Sequence, residues 1–207
     1  MNVPGPNHKF LIMRTIRSLC VYCGSREGDD PVHRQAARAL GTGLAARGIA
    51  LIYGAGGIGL MNVVADATMQ GGGVAIGIIP RHLAALELKH DGLTETVLVD
   101  TMHERKQLMF ERADAFAVLP GGFGTLDELF EMLTWKMLGL HQKPIFVVNS
   151  AGYWDTLVHL VDSVIGQGFA APETRQMISV VPNIDALFEA LGELKSGLEF
   201  EPEAHLA

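Results

Sequence analysis

Residues 113–127 read ADAFAVLPGGFGTLD, and Glu128 follows directly. An apolar run ends in a proline and two glycines, and a strongly helical sequence begins at once. A strand, a glycine turn and a helix start, in that order, present unpaired backbone N–H groups and the positive end of a helix dipole to an anion. A carboxylate in the first turns of that helix is placed to act on whatever carries the anion. The stretch therefore predicts a phosphate cradle with a catalytic acid beside it.

The same alternation extends in both directions. Upstream, 16–22 is apolar and β-branched enough for a first strand. Asp29-Asp30-Pro31 supplies a helix N-cap and a proline at the first helical position, and Gly48 closes that helix after about Arg47. Residues 49–53 form a second strand, and GAGGIG (54–59) opens a second helix. Strands are expected at 74–80, 95–100, 113–120, 143–149 and 178–181, with helices at 101–113, 125–140, 154–167 and 184–194. Residues 81–95 read as a short helix and a loop lining the site. Strands alternating with helices at this spacing, and apolar without interruption, imply a mostly parallel sheet covered on both faces. The expected architecture is α/β: one Rossmann-like domain over residues 15–196, with about seven strands. Residues 1–14 read as a flexible extension and 197–207 as an acidic tail.

Composition narrows the function. At 207 residues the chain suits one well-buried core, and 48% hydrophobic with 19% charged residues fits an ordinary globular protein. A net charge of −7 argues against non-specific nucleic-acid binding, which needs a basic surface, but allows a local basic pocket. The apolar residues 10–13 are too few for a signal-peptide core, and no run approaches the roughly 20 residues of a membrane span. A cytoplasmic enzyme or binding protein follows. The two cysteines, Cys20 and Cys23, lie in a strand where residues three apart point to opposite faces. That geometry favours buried or pocket-edge thiols over a metal site or a disulfide.

Ligands of such sheets sit at the carboxyl ends of the strands, where five turns should meet: CGSRE, GAGGIG, PRH, TMHERK and PGGFGT. Gly54–Gly59 satisfies the dinucleotide pattern G-x-G-x-x-G. It follows the second strand rather than the first, however, and the next strand ends in Pro80-Arg81, without an acid to hold a ribose. A packing turn or the wall of a smaller nucleotide pocket fits better, while Arg81 leaves an NADP site open. In PGGFGT, Thr125 is positioned to cap the helix, and Glu128 three residues on has capping-box spacing. Glu128 is thus either a helix cap or a site carboxylate. Arg105-Lys106 in MHERK is either a solvated pair or the basic side of the same site. HERKQ lacks the HExxH zinc spacing, and no metal is expected.

PGGFGTLDE together with MHERK resembles the signature PGGxGTxxE and upstream arginine of the lonely-guy (LOG) family. These enzymes are cytokinin riboside 5′-monophosphate phosphoribohydrolases, long mislabelled as lysine decarboxylases. The resemblance extends from CVYCGS through GGIGLMN, IIPRHL and TWKMLGLHQKPI to about Leu194. It implies that Arg105 and Glu128 are the catalytic pair. It also implies that Lys106, Gly121, Gly122, Phe123, Gly124, Thr125, Leu126 and Asp127 line the nucleotide site. Glu87, Thr134 and Ser25 match further substrate contacts. Asn62 stands where the family often has glycine, and LAALELKH replaces a PREL-like segment; both departures fall on the base side of the pocket. The implied reaction releases a free base and ribose 5-phosphate from a nucleoside 5′-monophosphate, with no cofactor and with a homodimer as the working form. A nucleotide or cofactor carrier on the same fold, and more remotely an NADP-dependent oxidoreductase, are the alternatives. Lysine decarboxylase is disfavoured, because no lysine sits in a convincing setting for a pyridoxal phosphate Schiff base.

Overall fold

The computed structural model describes residues 16–85 and 89–194; the expected terminal segments and Glu87 lie outside these residues. The strands are β1 (Ser18–Tyr22), β2 (Ala50–Tyr53), β3 (Ala75–Pro80), β4 (Glu95–Val99), β5 (Ala115–Val118), β6 (Ile145–Val148) and β7 (Ser179–Val181). The helices are α1 (Pro31–Arg47), α2 (Gly59–Gln70), α3 (Arg81–Ala84), α4 (Met102–Arg112), α5 (Phe123–Met137), α6 (Asp155–Gly166) and α7 (Ile184–Glu193). The strands pair in the order β4-β3-β2-β1-β5-β6-β7, and every pairing is parallel. The expected mostly parallel sheet is therefore wholly parallel.

Local chemistry sets the boundaries. The Asp30 carboxylate accepts from the Val32 N–H at 2.9 Å, Pro31 occupies the first helical position, and Gly48 takes the left-handed φ of 64° that ends α1. Within segment 81–95, α3 is a single turn, and a strap that is described from Lys89 on, where it bridges Gly56, leads to β4.

Two cores result, one on each face of the sheet. One joins α1, α2 and α7, and the other joins α4, α5 and α6. β1 and the residue after it divide between them: Leu19, Val21 and Cys23 face the first core, and Cys20 and Tyr22 the second. Both cysteines are free and buried on opposite faces, as their spacing predicts, and burial pushes both thiols far above the usual range. On α5, Leu129, Met132 and Leu133 face inward, each stabilising the fold by about 1.5–3 kcal/mol. Among the described residues, no helix is long and apolar enough to cross a membrane.

Helices α1 and α2 press together at Gly41, where a Cβ would lie 2.4 Å from the Val64 carbonyl oxygen and 2.8 Å from the Ala67 Cβ on α2. Gly41→Ala would force backbone apart. That overpacking costs about 1–3 kcal/mol and should outweigh the ~1 kcal/mol that alanine gains in helix propensity. Urea unfolding is expected to show a lower midpoint at unchanged slope.

Candidate active site

β1 and β5 are neighbours, but the chain leaves β1 toward β2 and leaves β5 toward β6, in opposite directions across the sheet. A crevice opens at the carboxyl ends of two such strands. Three turns are fastened together there. The Gly24 N–H donates to the Pro120 carbonyl at 3.0 Å, and the Gly24 carbonyl accepts from the Leu60 N–H at 3.0 Å. Gly59, at φ 62°, lets the backbone of Ser25 pass where a Cβ would lie 2.2 Å from its carbonyl carbon.

Arg105 enters from the side. Thr101 and Glu104 form a capping box at the start of α4: the Thr101 hydroxyl accepts from the Glu104 N–H, and Glu104 Oε2 accepts from the N–H groups of Asp100 and Thr101. This fixes the first turn and points Arg105 beneath the glycine turns. Its Nε donates to the Ile78 carbonyl at 3.2 Å, and its Nη1 donates to Glu128 Oε1 at 3.0 Å. A Cβ on Gly54 would lie 1.9 Å from Nη2. The G-x-G-x-x-G turn thus makes room for an arginine and for Ser25, as the packing-wall reading expects.

Glu128 is buried on α5, and its partner is Arg105 rather than its own helix end. Burial pushes its carboxyl above the ordinary glutamate value, and Arg105 pulls it partly back. Buried ion pairs of this kind contribute little net stability, because desolvation offsets their attraction. One whose arginine lines a cavity at the switch point therefore points to chemistry.

Helix α5 begins earlier than the sequence predicts. Gly122 is the N-cap of α5 and Phe123 its first residue, so Thr125 is the third helical residue and caps nothing. Thr125 is instead buried under Gly121, where a Cβ would lie 2.1 Å from the Thr125 Oγ1. The amides of Phe123, Gly124 and Thr125 precede the first intrahelical bond, which runs from the Leu126 N–H to the Gly122 carbonyl. Gly121, Gly122 and Phe123 line a cavity of about 390 Å³ shared with Ser25, His33 and Tyr153. Ser25 also lines a cavity of about 190 Å³ with Arg105, Gly54, Ile58, Met61 and Leu83. It stands at the junction of the two.

Other expected residues are placed differently. Lys106 Nζ lies 3.1 Å from both Asp127 Oδ2 and Glu131 Oε1. Burial works against its charge, but these two carboxylates outweigh that and hold it above the usual lysine range. Leu126 packs against the second core and faces an apolar groove beyond Tyr153. Thr134 is exposed on α5, about 9 Å along the helix axis from Glu128. Asn62 donates to Asp66 at 2.8 Å, and Asp66 meets the buried His90 at 3.0 Å, which ties α2 to the strap. No cluster fit to hold a metal occurs among the described residues. Sequence reasoning missed Tyr153, whose hydroxyl donates to the Gly121 carbonyl at 2.6 Å. The signal was positional: the turn after β6 opens at the same edge of the sheet.

Gly54→Ala places a methyl group on the guanidinium. Arg105 should leave Glu128 while the strands stay in register, as a crystal structure of the variant would check.

Comparison with known proteins finds relatives over most of the chain. The model of the family described as "Possible lysine decarboxylase" matches residues 61–191. The cytokinin riboside 5′-monophosphate phosphoribohydrolase LOG2 of Arabidopsis thaliana is 41% identical over 177 residues, spanning 86% of this chain and 83% of that protein. LOG7 of the same plant is 41% identical over 187 residues, spanning 90% and 83%. Among solved structures, the molybdenum cofactor binding protein of Rippkaea orientalis superposes with a TM-score of 0.66 over 88% of this chain and 98% of that one. It shares 18% identity and so speaks for the fold alone. With PGGFGTLDE and MHERK supplying the two members of one buried ion pair, and with relatives this similar over most of its length, the chain belongs to the LOG family.

Proposed function

We propose that the chain hydrolyses the N-glycosidic bond of a nucleoside 5′-monophosphate of the cytokinin riboside type, with AMP as a further substrate, giving free base and ribose 5-phosphate. The observation that carries this reading is the buried Arg105–Glu128 pair, whose arginine lines a cavity that shares Ser25 with the cavity of Gly121, Gly122 and Phe123. The 5′-phosphate rests on the free amides at the start of α5, and this remote binding holds C1′ near Glu128. As the C1′–N bond breaks, its electron pair leaves with the base, which takes up a proton, and positive charge builds on the ribose. Glu128 stabilises that charge and orients the water whose oxygen bonds to C1′, and the proton that this water gives up balances the one taken up by the base. Arg105, already bonded to Ile78 and Glu128, sets the carboxylate's direction. Lys106, paired with Asp127 and Glu131, contributes positive potential at the rim.

A cofactor carrier shares the fold but has no need of a carboxylate at C1′. The working form is proposed to be a cytoplasmic homodimer. Leu138 and Leu140, just beyond the end of α5, are 68% and 65% exposed, and Thr134 on that helix would meet substrate only in a second copy. Sedimentation should give twice the mass of one chain.

The test is a product assay on prenylated AMP, AMP and adenosine. The monophosphates should yield base and ribose 5-phosphate, and adenosine should be a poor substrate; AMP bound but not consumed would establish the carrier instead. Glu128→Gln and Arg105→Ala should each lower turnover at least about a hundredfold, the scale of one main transition-state contact, with far-UV circular dichroism unchanged.

The rate needs the ionised carboxylate, whose pKa is raised. Activity should therefore fall with pH at a higher pH than an ordinary glutamate would dictate. The folded chain binds this proton more tightly than the unfolded one, so ionising Glu128 lowers stability as pH rises through its raised pKa.

A further inference from the structure

We propose that Tyr153 is a positioning residue that sets the direction of the phosphate cradle, an inference that rests on the cradle reading above. Three consecutive carbonyls of the turn are occupied. Pro120 accepts from the Gly24 N–H at 3.0 Å, Gly121 from the Tyr153 hydroxyl at 2.6 Å and Gly122 from the Leu126 N–H at 3.1 Å. The middle one is the vulnerable one. The Gly121–Gly122 peptide is flanked by two residues without Cβ atoms, so it can rotate at little steric cost. Its C=O and N–H point in opposite directions across one plane. A flip would turn this carbonyl and N–H end for end and re-aim the chain that leads directly into the Phe123, Gly124 and Thr125 amides. The Tyr153 hydroxyl, by holding the carbonyl, holds the Gly122 N–H on the opposite side.

Tyr153 is itself held firmly. It follows β6 in a tight turn where Ala151 adopts a left-handed φ of 54° and Gly152 one of 72°. Asn149 closes that turn, accepting from the Trp154 N–H at 2.7 Å and donating to Asp155 at 2.7 Å. His33 packs edge-on against the Tyr153 ring at 5.2 Å, and Trp154 does so at 4.7 Å. A non-glycine residue in a left-handed turn, beside a ligand cavity, is strain kept where it aims a side chain.

The test compares Tyr153→Phe, which keeps the ring and loses the hydroxyl, with the wild type. Calorimetry should give a Kd for ribose 5-phosphate raised about five- to tenfold, the scale of one lost hydrogen bond. The KM for the nucleoside monophosphate should rise by a similar factor while kcat and the melting temperature hold. Turnover of the dephosphorylated nucleoside should not change. Tyr153→Ala should weaken phosphate binding no further than Tyr153→Phe does. Unchanged ribose 5-phosphate affinity in Tyr153→Phe, or equal losses for nucleotide and nucleoside, would overturn the role of Tyr153 and leave the reaction standing. A wild type that binds ribose 5-phosphate but consumes no monophosphate would remove the reaction, and Tyr153 would still be judged by affinity. A wild type that binds no ribose 5-phosphate removes both.

Discussion

The geometry of the whole edge depends on the space left by a missing side chain at Gly54. The Arg105 guanidinium occupies that space, bonded to the Ile78 carbonyl on one side and to Glu128 on the other. Three elements that do not follow one another in sequence, β3, α4 and α5, are thereby joined through one planar group. A guanidinium suits the task because its donors lie in a rigid fork; a lysine would offer a point charge without direction. The cost is a carboxylate kept charged against its surroundings, as the raised pKa of Glu128 records. A protein selected for stability alone would gain more from two apolar side chains of similar volume. Retaining the pair makes sense where the charge is used.

The fold was largely legible because its punctuation is local. Asp30-Pro31 and Gly48 bound α1 through chemistry contained within a few residues, and the structure reproduces those limits. The start of α5 was misplaced because Thr125 has the composition of a cap, while the actual cap is Gly122 and the threonine is buried by tertiary packing. Lys106, Asp127 and Glu131 were legible as charged residues but not as partners, since nothing in a chain announces that two helices will lay their charges together. Tyr153 was hidden for a similar reason. Its role depends on the distance from the β6 turn to the β5 turn, 32 residues apart in sequence. The CxxC pair, by contrast, was decided by strand periodicity alone.

Fold and site carry different information here. The architecture superposes on a molybdenum cofactor binding protein at 18% identity, a likeness that says how the sheet is wound and nothing about what is bound or broken. The glycine turn after β5 offers amides to an anion in any protein that has it. What separates a hydrolase from a container is a carboxylate beside those amides, buried enough to be sensitive to its surroundings and oriented by a fixed cation. Glu128 is buried and bonded to Arg105, and we propose that this pair supplies that difference here.

The capping box of α4 has a consequence for how this sequence can change. Thr101 and Glu104 fix where the helix begins, and each residue added to a helix turns the next by about 100°. Arg105 therefore faces Glu128 only because it stands four positions after the cap. Substitutions on the outer face of α4 leave that bearing untouched, whereas inserting or deleting one residue between Thr101 and Arg105 would swing the guanidinium a quarter-turn or more out of the crevice. The segment is tolerant of altered spelling and intolerant of altered length.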